Sequence, residues 1–259
     1  MLKAERQSQI LEIIQRDGNT TVSDLAERFE VSEMTIRRDL RDLDQQGLLR
    51  RVHGGAVSDL GRSYEPPYRL RTTKRVAAKA AIGAAAAELV VDGDSIALDV
   101  GTTTLEIARA LQHRHNLTIL TASLPIANEI ATLFSLENDV RLILTGGVVR
   151  SGELSMFGHI AQNAYHEFHV DKAFVAIGGL SVEGGLTEYN LEDALVKKPL
   201  LESAREVIVV ADSSKFGQIT LCSVGPLSAV DVVVTDSAAP QDMLDQLEEM
   251  GIEVIVARL

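Results

Sequence analysis

The chain has 259 residues, 46% hydrophobic and 24% charged, a length that suits two globular domains and a composition with no run near the ~18 apolar residues of a membrane span. Its net charge of −12 argues at first against a nucleic-acid partner, because Lys and Arg neutralising phosphates supply most non-specific affinity. The acidity is unevenly placed, though: residues 1–57 carry nine Lys+Arg and ten Asp+Glu, residues 58–79 six and two, and residues 80–259 ten and twenty-five, so the first 79 residues remain able to meet DNA.

The N-terminal stretch MLKAERQSQILEIIQRDG is charged and amphipathic and lacks the apolar core and cleavage site of a signal peptide, which predicts a cytoplasmic protein. Residues 6–16 read as a first helix with Ile10, Leu11, Ile13 and Ile14 on one side, stopped at Asp17-Gly18. Thr21-Val-Ser-Asp24 fits a capping box, and Val22, Leu25, Ala26 and Phe29 follow at the spacing of a two-turn amphipathic helix. Ser32 then caps a third helix with Ile36, Leu40 and Leu43 inward, ended by Gly47. Leu48–Val52 and Ala56 onward pair as a hairpin around Gly54-Gly55. Three helices and a hairpin in this order make a winged helix-turn-helix over residues 1–57.

Residues 58–76, with a Pro pair and the start of a basic run from Arg69 to Lys79, read as an interdomain linker. From 77 to 259, helices near 77–89, 103–111, 125–133, 190–204 and 240–250 alternate with apolar strands near 95–100, 117–121, 140–144, 173–177, 207–211, 230–235 and 253–256. That alternation predicts an α/β domain built on a mostly parallel sheet covered on both faces, with ligands at the carboxyl ends of its strands. The single cysteine, Cys222, excludes an internal disulfide and a cysteine metal site and reads as a buried thiol. The histidines lack ligand spacing, so no metal and no cofactor are expected.

With Ile36, Leu40 and Leu43 inward, the third helix turns Met34, Arg38 and Arg41 outward, flanked by Thr35 and Arg37 near Ser32. Arginine makes a bidentate contact with guanine and threonine meets a thymine methyl or a phosphate, which suits this helix to a major groove. Arg50, Arg51 and His53 in the wing reach the flanking backbone or minor groove. The competing reading is a solvated charge cluster with Asp39, Asp42 and Asp44.

In the second domain, Asp99-Val-Gly-Thr-Thr-Thr104 leaves a strand and opens a helix, so the backbone of Gly101, Thr102, Thr103 and Thr104 can cradle an anion. Lys215 supplies a point charge for a phosphate, while Asp99, Glu192 or Asp212 can accept from sugar hydroxyls. Small and polar residues at Thr121–Ser123, Thr145–Gly147 and Gly178-Gly179 fall on the same expected rim.

The stretch VSDLAERFEVSEMTIRRDLRDLDQQGLLRRVHGGAV resembles the N-terminal signature of the DeoR family of bacterial regulators. The resemblance continues through LDVGTTT, LTGGVVR, VDKAFVAIGGLS, GGLTEYNLEDALVKK and VVADSSKFG. It implies a C-terminal domain similar to ribose-phosphate isomerases and coenzyme A transferases that senses a phosphorylated sugar, with the 101–104 loop and Lys215 at the phosphate and Ser123, Gly147, Glu192 and Lys197 around the sugar. For Glu192 and Lys197 a surface charge pair is the alternative. The implied function is a repressor that leaves a double-stranded operator when effector binds, and a symmetric dimer or tetramer is expected because one winged helix reads few base pairs. Two other functions stand beside it. An active sugar-phosphate isomerase or acyl transferase lacks a nucleophile-base pair here, and GGLSVEGGLTEYN does not resemble the isomerases' acidic stretch; a helix-turn-helix used only for protein contact predicts no duplex binding at low salt.

Overall fold

A computed structural model describes residues 3–45, 48–57, 61–134 and 138–258, which fall into two compact units, Met1–Tyr64 and Glu65–Leu259. The expected linker over 58–76 is therefore shorter than its composition suggested. Residues 58–60 lie outside the described residues, and residues 65–76 are folded into the second unit.

The first unit runs α1 (Lys3–Asp17), β1 (Asn19–Thr21), α2 (Val22–Arg28), α3 (Glu33–Gln45), β2 (Arg50–Val52) and β3 (Gly55–Val57). Thr21 caps α2 by accepting from the Asp24 N–H at 3.1 Å, and Ser32 Oγ accepts from the Thr35 N–H at 3.3 Å at the start of α3. The expected stop at Gly47 lies outside the described residues. Ile10, Ile14, Leu25, Ile36, Leu40 and Leu43 form one buried core. The hairpin of β2 and β3 pairs Arg51 with Ala56, as its glycines predicted. β1 was not expected: three residues, Asn19-Thr-Thr21, add to the outer side of β3 and make a three-stranded sheet in the order β1-β3-β2.

The second unit runs α4 (Tyr68–Thr73), α5 (Val76–Glu88), β4 (Ser95–Leu98), α6 (Thr102–Ala110), β5 (Thr118–Thr121), α7 (Leu124–Leu133), β6 (Arg141–Leu144), β7 (Val148–Arg150), β8 (Ser155–Phe157), α8 (His159–His166) and β9 (Val170–Ala176). It continues through β10 (Gly179–Ser181), β11 (Gly185–Glu188), α9 (Leu191–Glu202), β12 (Ala204–Val210), β13 (Cys222–Gly225), β14 (Val232–Asp236), α10 (Gln241–Glu249) and β15 (Glu253–Ala257). Seven strands pair in parallel in the order β15-β14-β12-β9-β4-β5-β6. Their side chains divide by alternation. Ala97, Val175, Val209 and Val233 join one buried cluster with residues of α8, α9 and α10, while Leu98, Phe174, Ile208 and Val234 join another with residues of α5, α6 and α7. Both faces are buried, which is why these strands read as unbroken apolar runs.

From the centre, β4, β5 and β6 step outward one way and β9, β12, β14 and β15 the other, so the order reverses between β4 and β9. At such a reversal the loops leaving adjacent strands diverge and open a crevice beyond their carboxyl ends. Two smaller antiparallel pieces flank this point: β7 with β8, and β10-β11-β13. Cys222, expected to be buried, is only partly so. No helix among the described residues is long and apolar enough to cross a membrane.

Candidate functional site

In the first unit the third helix presents its residues as its spacing predicted, with one correction. Arg37, Arg38 and Arg41 are exposed, as are Arg50, Arg51 and His53 on the wing, whereas Thr35 is half-buried. Its hydroxyl lies 3.0 Å from Ser32 Oγ, so both are engaged in capping α3. Asp39, placed by the charge-cluster reading on that same surface, is 1% exposed. It accepts from Arg6 Nε at 2.6 Å, with Gln7 Nε2 at 3.4 Å, and so ties α3 to α1. Asp42 pairs with Lys3 at 2.6 Å and Asp44 accepts from the Arg51 N–H at 3.2 Å. Arg37 pairs with Glu33 at 2.9 Å one turn back, an exposed contact worth little in water. Arg38 and Arg41 have no carboxylate within 4.0 Å among the described residues.

In the second unit the crevice at the β4/β9 reversal is a cleft lined by Glu65, Tyr68, Arg71, Val100, Gly101, Glu153, Ser155, Ala176, Ile177, Glu188, Tyr189, Asp193, Lys197 and Lys215. Its floor is built by Asp99. The Asp99 N–H donates to Phe174 O at 3.0 Å, and its carboxylate accepts from the Ala176 N–H at 3.1 Å, so this one residue stitches the diverging strand ends together. Lys197 reaches from α9 to donate to Asp99 at 2.5 Å and to Ala176 O at 2.6 Å, with Glu188 at 3.2 Å. Burial raises the Asp99 carboxyl to about 6 against the pull of Lys197. The same burial opposes charge on Lys197, but Asp99 and Glu188 outweigh it and hold the ammonium above its ordinary range. Asp99 and Lys197 therefore form an ion pair at neutral pH, fixed at the floor of the cleft.

Around the mouth, Arg71 pairs with Glu65 at 2.9 Å and with Glu153, and Arg150 pairs with Asp193 at 2.8 Å and Glu65 at 3.3 Å. Desolvation pushes Glu65 up to about 7 despite Arg71. Lys215 differs from these cations. Its Nζ lies 3.4 Å from Tyr189 Oη and 5.3 Å from the centre of that ring, and no carboxylate is within 4.0 Å of it among the described residues. Burial works against its charge, but Tyr189 and Asp212 hold its pKa above the ordinary value. Gly178 makes room for Tyr189: a Cβ there would stand 2.8 Å from Glu188 Oε1 and 3.0 Å from the tyrosine ring.

Of the residues that the sequence put forward for the effector, Gly101, Lys197 and Lys215 line the cleft, Asp99 forms its floor, and Asp212 is buried outside the lining, accepting from the Ser214 N–H at 3.0 Å. Thr102, Thr103 and Thr104 are buried in the first turn of α6 directly after Gly101, with Thr104 Oγ1 donating to Gly101 O at 3.1 Å. Ser123 is buried behind the lining as the cap of α7, accepting from the Ile126 N–H at 3.3 Å. Gly147 does not line the cleft; its φ of +120° and a would-be Cβ 2.6 Å from Phe157 O fit it instead to the start of β7, against the end of β8. Glu192 is exposed, and the acid that faces the cleft is its neighbour Asp193. The surface charge pair of Glu192 with Lys197 is also excluded, since Lys197 is 2% exposed. Glu65, Tyr68, Arg71, Glu153 and Ser155 went unnoticed. The basic run after Arg69 was a signal for Arg71, but composition assigned it to a linker.

An exposed arginine-bearing helix with a wing, and a strand-end cleft carrying a cation without a carboxylate, define a DNA-reading unit joined to a small-molecule sensor. The chain belongs to the DeoR family of transcriptional regulators: residues 6–60 match the DeoR-like helix-turn-helix domain and residues 74–237 the DeoR C terminal sensor domain. It is similar to the glycerol-3-phosphate regulon repressor of Escherichia coli K12, 32% identical over 98% of this chain and 99% of that one. It is also similar to a putative aga operon transcriptional repressor of Escherichia coli O157:H7, 32% identical over 98% of this chain and 93% of that one. Among solved structures, ribose 5-phosphate isomerase A from Methanocaldococcus jannaschii aligns over 53% of each chain at 19% identity with a TM-score of 0.39, too distant to argue from.

Proposed function

We propose that this regulator is an operator-binding repressor of a carbohydrate catabolic operon, and that a phosphorylated sugar or polyol entering the cleft of the second unit relieves the binding. The observation that carries the effector reading is Lys215. A half-buried ammonium held in its charged form, in contact with a phenol and with no carboxylate within 4.0 Å among the described residues, is an anion site awaiting a partner of opposite sign. Gly101 and the first turn of α6 add backbone N–H groups and the positive end of a helix to the same cleft. Asp193 and Glu188 in the same lining supply acceptors for hydroxyl groups, which suits a polyhydroxy compound rather than a bare anion. The repressor names of the similar proteins support the direction of the response.

Operator reading falls to Arg37, Arg38 and Arg41 on α3, with Arg50, Arg51 and His53 on the wing at flanking phosphates or the minor groove. Ser32 and Thr35 fix the start of α3 and can turn toward a phosphate. The working form is a homo-oligomer that places two such helices on a symmetric site. Residues 65–75 join the two roles. They directly follow the first unit in the chain and supply Glu65, Tyr68 and Arg71 to the cleft lining, so a ligand that favours another arrangement of these side chains biases the tether to the DNA-reading unit.

The test is thermal unfolding of the full chain with glycerol 3-phosphate, ribose 5-phosphate, fructose 6-phosphate and their unphosphorylated parents. A ligand at 100 times its Kd stabilises by about 2.7 kcal/mol. One phosphorylated member should raise the Tm, its parent should not, and Lys215→Ala should abolish the rise. A rise that survives Lys215→Ala removes the anion site from the cleft.

A further inference from the structure

The hydroxyls around the cleft floor are almost all engaged. Thr121 Oγ1 donates to Leu98 O at 2.7 Å, Ser123 Oγ caps α7 and Thr104 Oγ1 turns back to Gly101 O. Ser155, at the first position of β8, is the exception. It is 2% exposed and lines the cleft, yet its Oγ has no hydrogen-bond partner. Three other buried hydroxyls share that condition among the described residues, those of Tyr165, Thr220 and Thr235, and none of the three lines the cleft.

A buried hydroxyl without a partner costs free energy that alanine at the same place would avoid. What sets Ser155 apart from the other three is its place in the lining, where a bound ligand can supply the missing partner. The backbone beside it is also held away from its preferred shape. Leu154, between Glu153 and Ser155, has a φ of +56°, a left-handed conformation that a branched side chain disfavours. It is fixed there by main-chain bonds on both sides: the Leu154 N–H to Arg150 O at 2.9 Å and the Leu124 N–H to Leu154 O at 3.0 Å. The Met156 N–H bonds to Ala122 O at 2.7 Å, so the start of β8 is pinned to the segment that caps α7. The turn therefore delivers two consecutive polar contacts, Glu153 to Arg71 at the mouth and Ser155 to the lining, at the expense of local strain.

We infer that Ser155 is a binding contact for the effector, its Oγ exchanging a hydrogen bond with a hydroxyl or phosphate oxygen of a phosphorylated sugar or polyol held by Lys215. The inference rests on the cleft being the effector site, and the two fail differently. The hydroxyl is both donor and acceptor, so it discriminates compounds by the presence of an oxygen at one place rather than by charge. Lys215 answers for the phosphate, and Ser155 for the shape of what the phosphate is attached to.

The experiment compares the full-length wild type, Ser155→Ala and Lys215→Ala by calorimetric titration and thermal unfolding, with glycerol 3-phosphate, ribose 5-phosphate, fructose 6-phosphate and inorganic phosphate as probes. The expected result is that Ser155→Ala weakens the best organic phosphate about tenfold, the loss of one hydrogen bond that leaves its partner unsatisfied. Its Tm without probe should equal or exceed the wild-type value. If Ser155→Ala binds that probe as the wild type does while Lys215→Ala does not, the inference falls and the cleft reading stands. A lower probe-free Tm with unchanged affinity marks the hydroxyl as structural and overturns the inference. If no probe binds, or if Lys215→Ala binds as the wild type, the cleft reading falls and this inference with it.

Discussion

Asp39 shows how a single charged residue can belong to the core rather than to the surface its helix presents. Paired with Arg6 at side-chain exposures of 10% and 2%, it cannot be removed without stranding a buried guanidinium. Asp39→Ala should therefore destabilise the first unit by about 3–5 kcal/mol, read as a lowered urea midpoint, whereas replacing both partners by apolar residues of similar size should recover much of the loss. At the cleft, Glu65 makes stability depend on pH in an unusual direction. Its carboxyl is raised to about 7 in the folded chain, above its ordinary 4.5, so the folded state holds the proton over that window and stability falls as pH rises through it. Asp99, raised to about 6, acts in the same sense. Glu65→Gln should flatten the decline in Tm between pH 5 and 7, and an unchanged slope would assign the effect elsewhere. Lys215 and Asp99 were legible in the sequence because each sits in a strand-end motif with a chemical role, whereas Lys197 came only from the family resemblance. Ser155 and Glu153 were not, since a serine and a glutamate in a turn look like any solvated loop until the fold brings them to the cleft.

Elements were legible in proportion to their length. The inner strands of the parallel sheet show as apolar runs because both of their faces are buried, and the helices between them show as periodic segments. The three-residue strands β1, β7 and β8 and the short α4 carry too few residues for a period to appear. The wing is the element where one glycine decides the outcome. A Cβ on Gly55 would stand 2.1 Å from Thr20 O in β1, a backbone atom with nowhere to move. Gly55→Ala should push β1 and β3 apart and displace Arg50 and Arg51, lowering affinity for an operator duplex at least about tenfold in fluorescence anisotropy while the thermal response to effector persists. Duplex binding unaltered by Gly55→Ala would show that the wing takes no part in it.

At the scale of the molecule, most of the net acidity that first spoke against DNA lies in the larger unit, and the smaller one carries the exposed arginines proposed to read the duplex. Each unit has its own buried core, one cluster in the first and two in the second. Residues 65–259 produced alone should therefore show the same effector-induced rise in Tm as the full chain, and a fragment that fails to respond would mean that the cleft is incomplete without the first unit. The reversal of strand order between β4 and β9 also has a temporal meaning. The strands β4 to β6 come from one contiguous stretch of chain and β9 to β15 from another, so each half-sheet can form by short-range contacts, while the pairing of β4 with β9 spans the longest loop and closes late. Asp99 and Ala176 meet only across that join. A newly made chain is thus deaf to its effector until the two halves dock, and in refolding, the ability to bind a phosphorylated sugar should appear with the slowest phase seen by circular dichroism, never before it.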